Sequence, residues 1–160
     1  MLMYHDMMIE PAWLGGLAFV LAWFIAQLTK TIIGIARGEA KKEVTGVISF
    51  LNFFGRSGGM PSGHAASFTA MTTFLGCAYG FTSGYFIICA CMWTIIVYDA
   101  THVRYAVGEQ GKALNKLLEQ KSLPVLPIVE GHTLLQVAAG VIIGIVVGLL
   151  VYGSWYFSLM

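Results

Sequence analysis

The stretch Gly58-Gly59-Met60-Pro61-Ser62-Gly63-His64 stands immediately before an apolar segment, residues 65–79. A helix that begins here has backbone N–H groups without intrahelical partners and the positive end of its dipole, and both attract an anion such as phosphate. Glycines let the backbone approach that anion closely, and a histidine can donate a proton to a leaving oxygen. An ordinary helix start would explain Pro61 and Ser62 alone. The glycines and His64 favour a phosphate site with a built-in acid.

The composition of the chain is that of a membrane protein. Of its 160 residues, 58% are hydrophobic and 11% are charged, whereas a soluble domain carries about 25% charged residues. The net charge of +1 provides no basic field for nucleic acid. The three cysteines lie in apolar runs and lack zinc-type spacing. We therefore expect one integral membrane domain, residues 1–160.

Four apolar segments predict an all-α bundle with about four spanning helices, because a membrane helix needs about 20 largely apolar residues. The segments are residues 12–35, 62–79, 85–102 and 133–156. Residues 44–54 are apolar but too short to cross, and polar residues line one helical face. This pattern predicts an interfacial or re-entrant helix. Residues 104–121 also have a helical pattern, which ends before Pro124.

The basic residues predict the topology. All nine Lys and Arg residues fall in two regions, residues 30–56 and 104–121. In a four-span chain these regions share one side of the membrane, which the positive-inside rule makes cytoplasmic. We expect a plasma-membrane protein whose ionisable groups converge on the cytoplasmic face. Such a cluster at membrane depth is a functional hypothesis by default.

A second histidine opens the last span, in Gly131-His132-Thr133. If His132 faces His64, one imidazole could attack phosphorus while the other protonates the leaving oxygen. Gln136 follows His132 by four residues on the same helical face, where it could hold the imidazole in one tautomer. Taken alone, His132 would also fit an interfacial histidine in a polar turn.

A third cluster closes the third span: Tyr98-Asp99-Ala100-Thr101-His102-Val103-Arg104. Asp99 needs a cationic partner at the end of an apolar span, although a regular helix places Arg104 on a different face. Arg104 fits either a structural ion pair or a bidentate phosphate clamp. Asp99 and Glu109 are also candidates for a hard cation such as Mg²⁺, without a diagnostic spacing.

In order, these motifs resemble the divergent branch of the type-2 phosphatidic acid phosphatase family, which is related to vanadium-dependent haloperoxidases. The motifs are Gly-Gly-Met-Pro-Ser-Gly-His, then Tyr-Asp-Ala-Thr-His-Val-Arg with Gly-Glu-Gln-Gly-Lys-Ala-Leu-Asn, then Gly-His-Thr. The resemblance covers about residues 20–150. It implies a helical membrane fold and removal of phosphate through a phosphohistidine, with no metal or other cofactor.

The first two blocks of the wider family can be carried over by this resemblance. Ser62-Gly63-His64 fits the block Pro-Ser-Gly-His. Lys30 and Arg37 fit the spacing of the block Lys-x6-Arg-Pro, with Gly38 where proline is expected. Taken alone, Lys30 and Arg37 also fit ordinary anchors at a cytoplasmic helix end.

The last block departs from the pattern of the wider family. His132 fits the nucleophile, but Gln136 stands where an orienting Asp is expected, and the Ser-Arg pair has no counterpart. An amide stabilises an imidazolium less well than a carboxylate does. The resemblance leaves Arg104 and Lys112 as substitutes for the missing phosphate clamp.

These observations predict a membrane phosphatase for a lipid phosphate or diphosphate, with polyprenyl carriers as one substrate class. The alternatives are a non-catalytic protein that binds or moves phosphorylated lipids, and a metal-assisted hydrolase that uses Asp99 and Glu109. The expected partners are the bilayer and its phosphorylated lipid. The stripe Gly140, Gly144 and Gly148 fits either a homodimer or close packing within one chain.

Overall fold

The computed structural model describes residues 11–38, 59–128 and 131–160. The helix predicted at residues 44–54 lies outside the described residues. In the described ranges, every regular element is a helix. They are α1 (Ala12–Ala36), α2 (Gly63–Tyr79), α3 (Gly84–Tyr98), a π-helical turn (Asp99–Val103), α4 (Arg104–Gln120) and α5 (Leu134–Ser158). The prediction of an all-α bundle is confirmed.

Three of these helical stretches are long and apolar enough to cross a membrane: Ala12–Ala36, Gly84–Gln120 and Leu134–Ser158. The fourth predicted span corresponds to α2, whose 17 residues are at the short end of the range for a spanning helix. α2 packs against α1 on one side and α5 on the other. The centre of the bundle is therefore α2, which is shorter than α1, α5 and the stretch Gly84–Gln120, and the ends of these longer helices surround its start.

The helix of the third span continues beyond the predicted segment. α3, the π-helical turn and α4 form one continuous helix of 37 residues, Gly84–Gln120. Its length is about 55 Å at 1.5 Å per residue, well beyond a hydrocarbon core of about 30 Å. The charged α4 therefore projects out of the membrane, and the π-helical turn lies between the apolar and the charged part.

Small residues bring α2 and α5 into backbone contact. A Cβ on Gly144 would lie 2.5 Å from the carbonyl oxygen of Ala66, and one on Gly148 would lie 2.6 Å from that of Ala70. Neither distance is compatible with a side chain. Because lipid is as apolar as a protein core, such close packing is what holds membrane helices together. The glycine stripe is thus used for packing within the chain.

α1 contributes a matching row of small side chains. Ala18, Ala22 and Ala26 are fully buried and form one cluster with Phe74 of α2. Large apolar residues on the outer faces, such as Ile32 and Leu150, are exposed, as expected for side chains that meet lipid. This packing fixes the end of α1 beside the start of α2.

Candidate active site

The start of α2 is capped and tied to α5 through Ser62. The Ser62 side chain is fully buried, and its Oγ accepts a hydrogen bond from the N–H of Ala65 at 3.5 Å. The Ser62 N–H donates to the carbonyl oxygen of Gln136 at 3.0 Å. The Ser62 N–H is thus used as a tether and its Oγ as a cap, and a contact of the Ser62 hydroxyl with phosphate stays a prediction. The candidate anion-binding groups of this helix start are the N–H groups of Gly63 and His64.

α1 supplies the side chains that flank this helix start. A Cβ on Gly59 would lie 3.7 Å from Cγ and Cδ of Lys30, so the lysine stem runs along the turn before α2. A Cβ on Gly63 would lie 3.5 Å from Trp23 and 3.8 Å from the amide oxygen of Gln27. Trp23 and Gln27 were not among the predicted site residues. The signal that could have identified Gln27 is its position as an amide inside an apolar span, one turn before Lys30.

His132 is held in one orientation by its neighbours. The residue is 8% exposed, and its N–H donates to the carbonyl oxygen of Ala100 at 3.0 Å. Its Nδ1 lies 3.3 Å from Oε1 of Gln136, and this same Oε1 accepts the N–H of Thr133 at 2.9 Å. An oxygen that faces Nδ1 requires a proton on Nδ1. The lone pair of His132 is therefore on Nε2, where it can attack phosphorus.

The environment keeps His132 neutral. Burial lowers its pKa because a desolvated imidazolium is disfavoured. The hydrogen bond to Gln136 raises the pKa, whereas Lys30, His64 and Arg104 lower it further through their positive charges. A neutral imidazole is the form that a nucleophile requires. These interactions also place groups from α1, α2 and α4 within electrostatic range of His132.

The π-helical turn decides the position of Arg104. In a regular helix, residues five apart point in different directions, but i→i+5 hydrogen bonding aligns them. Here Nε of Arg104 donates to the carboxylate of Asp99, and the Arg104 N–H donates to the Asp99 carbonyl oxygen. The ion pair that the sequence left open for Arg104 is therefore present, in a geometry that a regular helix would not provide. Arg104 and Asp99 both interact electrostatically with His64.

The loop that carries His132 is fastened to the same turn. Besides the bond to Ala100, the loop packs Gly131 directly against the backbone of Arg104 and Tyr105, where no Cβ would fit. His102 takes no part in this contact: its ring stacks on Tyr98 with centroids 4.4 Å apart. The turn thus positions two groups of the site at once, the guanidinium and the loop with the nucleophile.

The remaining predicted basic residues lie farther out. Lys112 forms an exposed ion pair with Glu109 at 3.0 Å, and both line a cleft of about 100 Å³ next to Gln136. Arg37 is exposed at the C-terminal end of α1, about 10 Å along the helix axis from Lys30. For both Lys112 and Arg37, a phosphate contact stays a prediction.

The two carboxylates proposed for a metal ion do not meet. Asp99 and Glu109 are ten residues apart on one continuous helix, a separation of about 15 Å along its axis. Magnesium ligands lie about 2.1 Å from the ion, so these two groups cannot share one. In the ranges that the structure describes, no group of three or more His, Cys, Asp or Glu residues could hold a metal ion.

Comparison with known proteins agrees with this picture. The "Uncharacterized membrane protein YuiD" of Bacillus subtilis (strain 168) is 42% identical over 62 residues, which are 39% of this chain and 39% of that protein. The match thus covers well under half of the curated relative's length. No solved structure matches the chain. The model of the Divergent PAP2 family matches residues 16–147, a range that contains every candidate site residue. The chain is an integral membrane protein that belongs to the Divergent PAP2 family.

Proposed function

We propose that this protein hydrolyses a lipid phosphate or diphosphate at the cytoplasmic face of the plasma membrane, through a phosphohistidine on His132. The observation that carries the proposal is the bifurcated contact of Gln136 Oε1 with Thr133 and His132. It fixes the tautomer that leaves Nε2 nucleophilic. Burial and the positive charges of Lys30 and Arg104 lower the pKa of His132 and so favour the neutral ring that a nucleophile requires.

The proposed reaction has two steps. The phosphoryl group rests on the N–H groups of Gly63 and His64, and Lys30 and Arg104 neutralise its charge. Nε2 of His132 attacks the terminal phosphorus, its bond to the leaving oxygen of the lipid (or, in a diphosphate, of the lipid monophosphate) breaks, and the His64 imidazolium protonates that oxygen. Neutral His64 then takes a proton from water, which attacks the phosphohistidine and releases inorganic phosphate.

The position of the site supports a lipid substrate. Its residues come from the C-terminal end of α1 and from the starts of α2, α4 and α5. A phosphate bound there lies at the end of the bundle, while an apolar tail stays beside the exposed apolar faces of the helices. A long polyprenyl chain and a diacylglycerol both satisfy this geometry.

One feature favours a second candidate, a protein that binds or moves phosphorylated lipids without cleaving them. Gln136 stands where the wider family is expected to have Asp, and an amide stabilises a positive imidazolium less than a carboxylate does. The anion site would persist in such a protein. Glutamine in place of aspartate at residue 136 reduces the rate of phosphoryl transfer and leaves anion binding intact.

The test is a hydrolysis assay on the full chain in detergent, with phosphatidic acid, polyprenyl phosphate and polyprenyl diphosphate, each with and without EDTA. We expect phosphate release that EDTA does not inhibit and that His132→Ala abolishes. Binding of these lipids without release supports the binding or transport protein. Release that EDTA abolishes and that His132→Ala retains supports a metal-assisted hydrolase.

A further inference from the structure

The ion pair between Asp99 and Arg104 leaves most of the guanidinium available. Asp99 contacts only Nε of Arg104, one of the five N–H donors in an arginine side chain. The two terminal amino groups form the fork that binds two oxygens of a phosphate at once. An arginine held at Nε is therefore fixed in orientation while its fork remains usable.

The location of the pair argues against a purely structural role. The side chains of Arg104 and Asp99 are 48% and 37% exposed, and exposed ion pairs contribute little to folding stability. The pair also requires a π-helical turn, a local distortion that occurs frequently at functional sites. Both charged groups interact electrostatically with His64 at the start of α2.

From this geometry we infer that Asp99 is a positioning residue, which holds Arg104 in the orientation that binds the substrate phosphate. The inference rests on the proposed function, because it assigns Asp99 a positioning role at that same anion site. An unheld arginine loses the freedom of a long flexible side chain when it binds phosphate. Because Asp99 already restricts the Arg104 side chain before phosphate binds, less conformational entropy is lost on binding.

The direction in which Asp99→Asn changes the affinity for phosphate distinguishes this role from simple electrostatic repulsion. Asp99 is a negative charge close to a site for an anion, so Coulomb repulsion alone predicts that Asp99→Asn tightens phosphate binding. A positioning role predicts the opposite, because Arg104 then loses its orientation. A role in folding alone changes the unfolding midpoint and leaves the affinity for phosphate unchanged.

The experiment is calorimetric titration of the detergent-solubilised full chain with inorganic phosphate. We expect Arg104→Ala to weaken binding by about tenfold and Asp99→Asn by about fivefold, with no further loss in the double variant, as for two residues that act as one unit. Glu119→Gln removes a negative charge from the same helix, about 30 Å from Asp99 along its axis, and leaves the affinity unchanged.

Arg104→Lys keeps the positive charge without the fork. This variant is expected to weaken phosphate binding and to make the affinity insensitive to Asp99→Asn. If Asp99→Asn alone does not fold, Arg104→Lys still tests whether the fork binds phosphate. Tighter or unchanged binding by Asp99→Asn, additive losses, or no phosphate binding by the wild type overturns the inference. Because the titration needs no turnover, phosphate binding that depends on Asp99 without hydrolysis refutes only the proposed hydrolase.

Discussion

At the residue scale, the two histidines have different roles, and the leaving group of the substrate separates them. An aryl phosphate leaves without protonation, whereas an alkyl phosphate needs an acid, which contributes about 10²–10⁴ to the rate. We expect His64→Ala to slow the first step greatly on an alkyl phosphate and far less on an aryl phosphate. His132→Ala, which lacks the nucleophile, loses activity on both. The rate at which the alcohol or phenol is released in the first turnover gives the comparison.

His102→Ala is the matched control for these two variants. His102 is exposed and stacked on Tyr98, so its removal leaves both rates near those of the wild type. Equal losses of His64→Ala on the two substrates would contradict the role of His64 as an acid.

Gln136 controls the pH at which His132 becomes a nucleophile. Gln136→Glu keeps the side-chain length and the capping box with Thr133, but puts a carboxylate beside Nδ1. The carboxylate raises the pKa of His132, so the neutral ring is lost at higher pH. We expect the acidic limb of the kcat/KM profile to move up by about one pH unit, with a higher plateau rate because the positive phosphohistidine is stabilised.

Gln136→Ala is expected to move the acidic limb of the kcat/KM profile in the opposite direction. It removes the hydrogen bond that raises the pKa of His132, so the acidic limb moves to lower pH while the plateau rate falls. An acidic limb that stays at the wild-type pH in both variants would show that His132 is not the group that titrates.

Sequence patterns alone could place some of these residues but not others. The spacing of four between His132 and Gln136 predicts a contact, because it lies within one helical turn. The pairing of Asp99 with Arg104 depends on a π-helical turn, for which the sequence carries no periodic signal. The cap role of Ser62 follows from its place before the helix. The hydrogen bond of its N–H to the Gln136 carbonyl could not be foreseen, because Gln136 belongs to a helix distant in sequence.

At the element scale, the contact between α2 and α5 depends on glycines without room for a side chain. Gly144→Ala would place Cβ 2.5 Å from both the Ala66 oxygen and the Thr69 Cβ. We expect a loss of about 1–3 kcal/mol, the usual cost of overpacking, measured as the free energy of unfolding in detergent. Gly153→Ala in the same helix meets nothing within 4 Å, so it should be neutral or slightly stabilising.

A comparably large loss in Gly153→Ala would contradict the assignment of the packed face.

The positions of the helices could be predicted from hydropathy, since each described helix lies within a few residues of a predicted segment. The continuity of α3 with α4 could not, because helical periodicity cannot distinguish one bent helix from two separate ones.

At the scale of the whole molecule, the site requires the start of α2 and the start of α5 on one side of the membrane. We expect that side to be cytoplasmic. In a chain without its native cysteines, Leu123→Cys and Leu159→Cys are equally exposed, at 50% and 49%. Impermeant maleimide applied to intact cells should label residue 159 and leave residue 123 unlabelled until the cells are permeabilised. The reverse pattern would place the site on the outer face.

The proposed hydrolysis forms a phosphohistidine on His132, and trapping this intermediate is its decisive test. His64→Ala with an aryl phosphate completes the first step without an acid but lacks the base for the second, so the phosphohistidine accumulates. Mass spectrometry after an alkaline quench should locate an acid-labile phosphoryl group on His132, and none in the variant that also carries His132→Ala. Hydrolysis by the wild type without a phosphoryl group on His132 in the trapped variant would contradict the account.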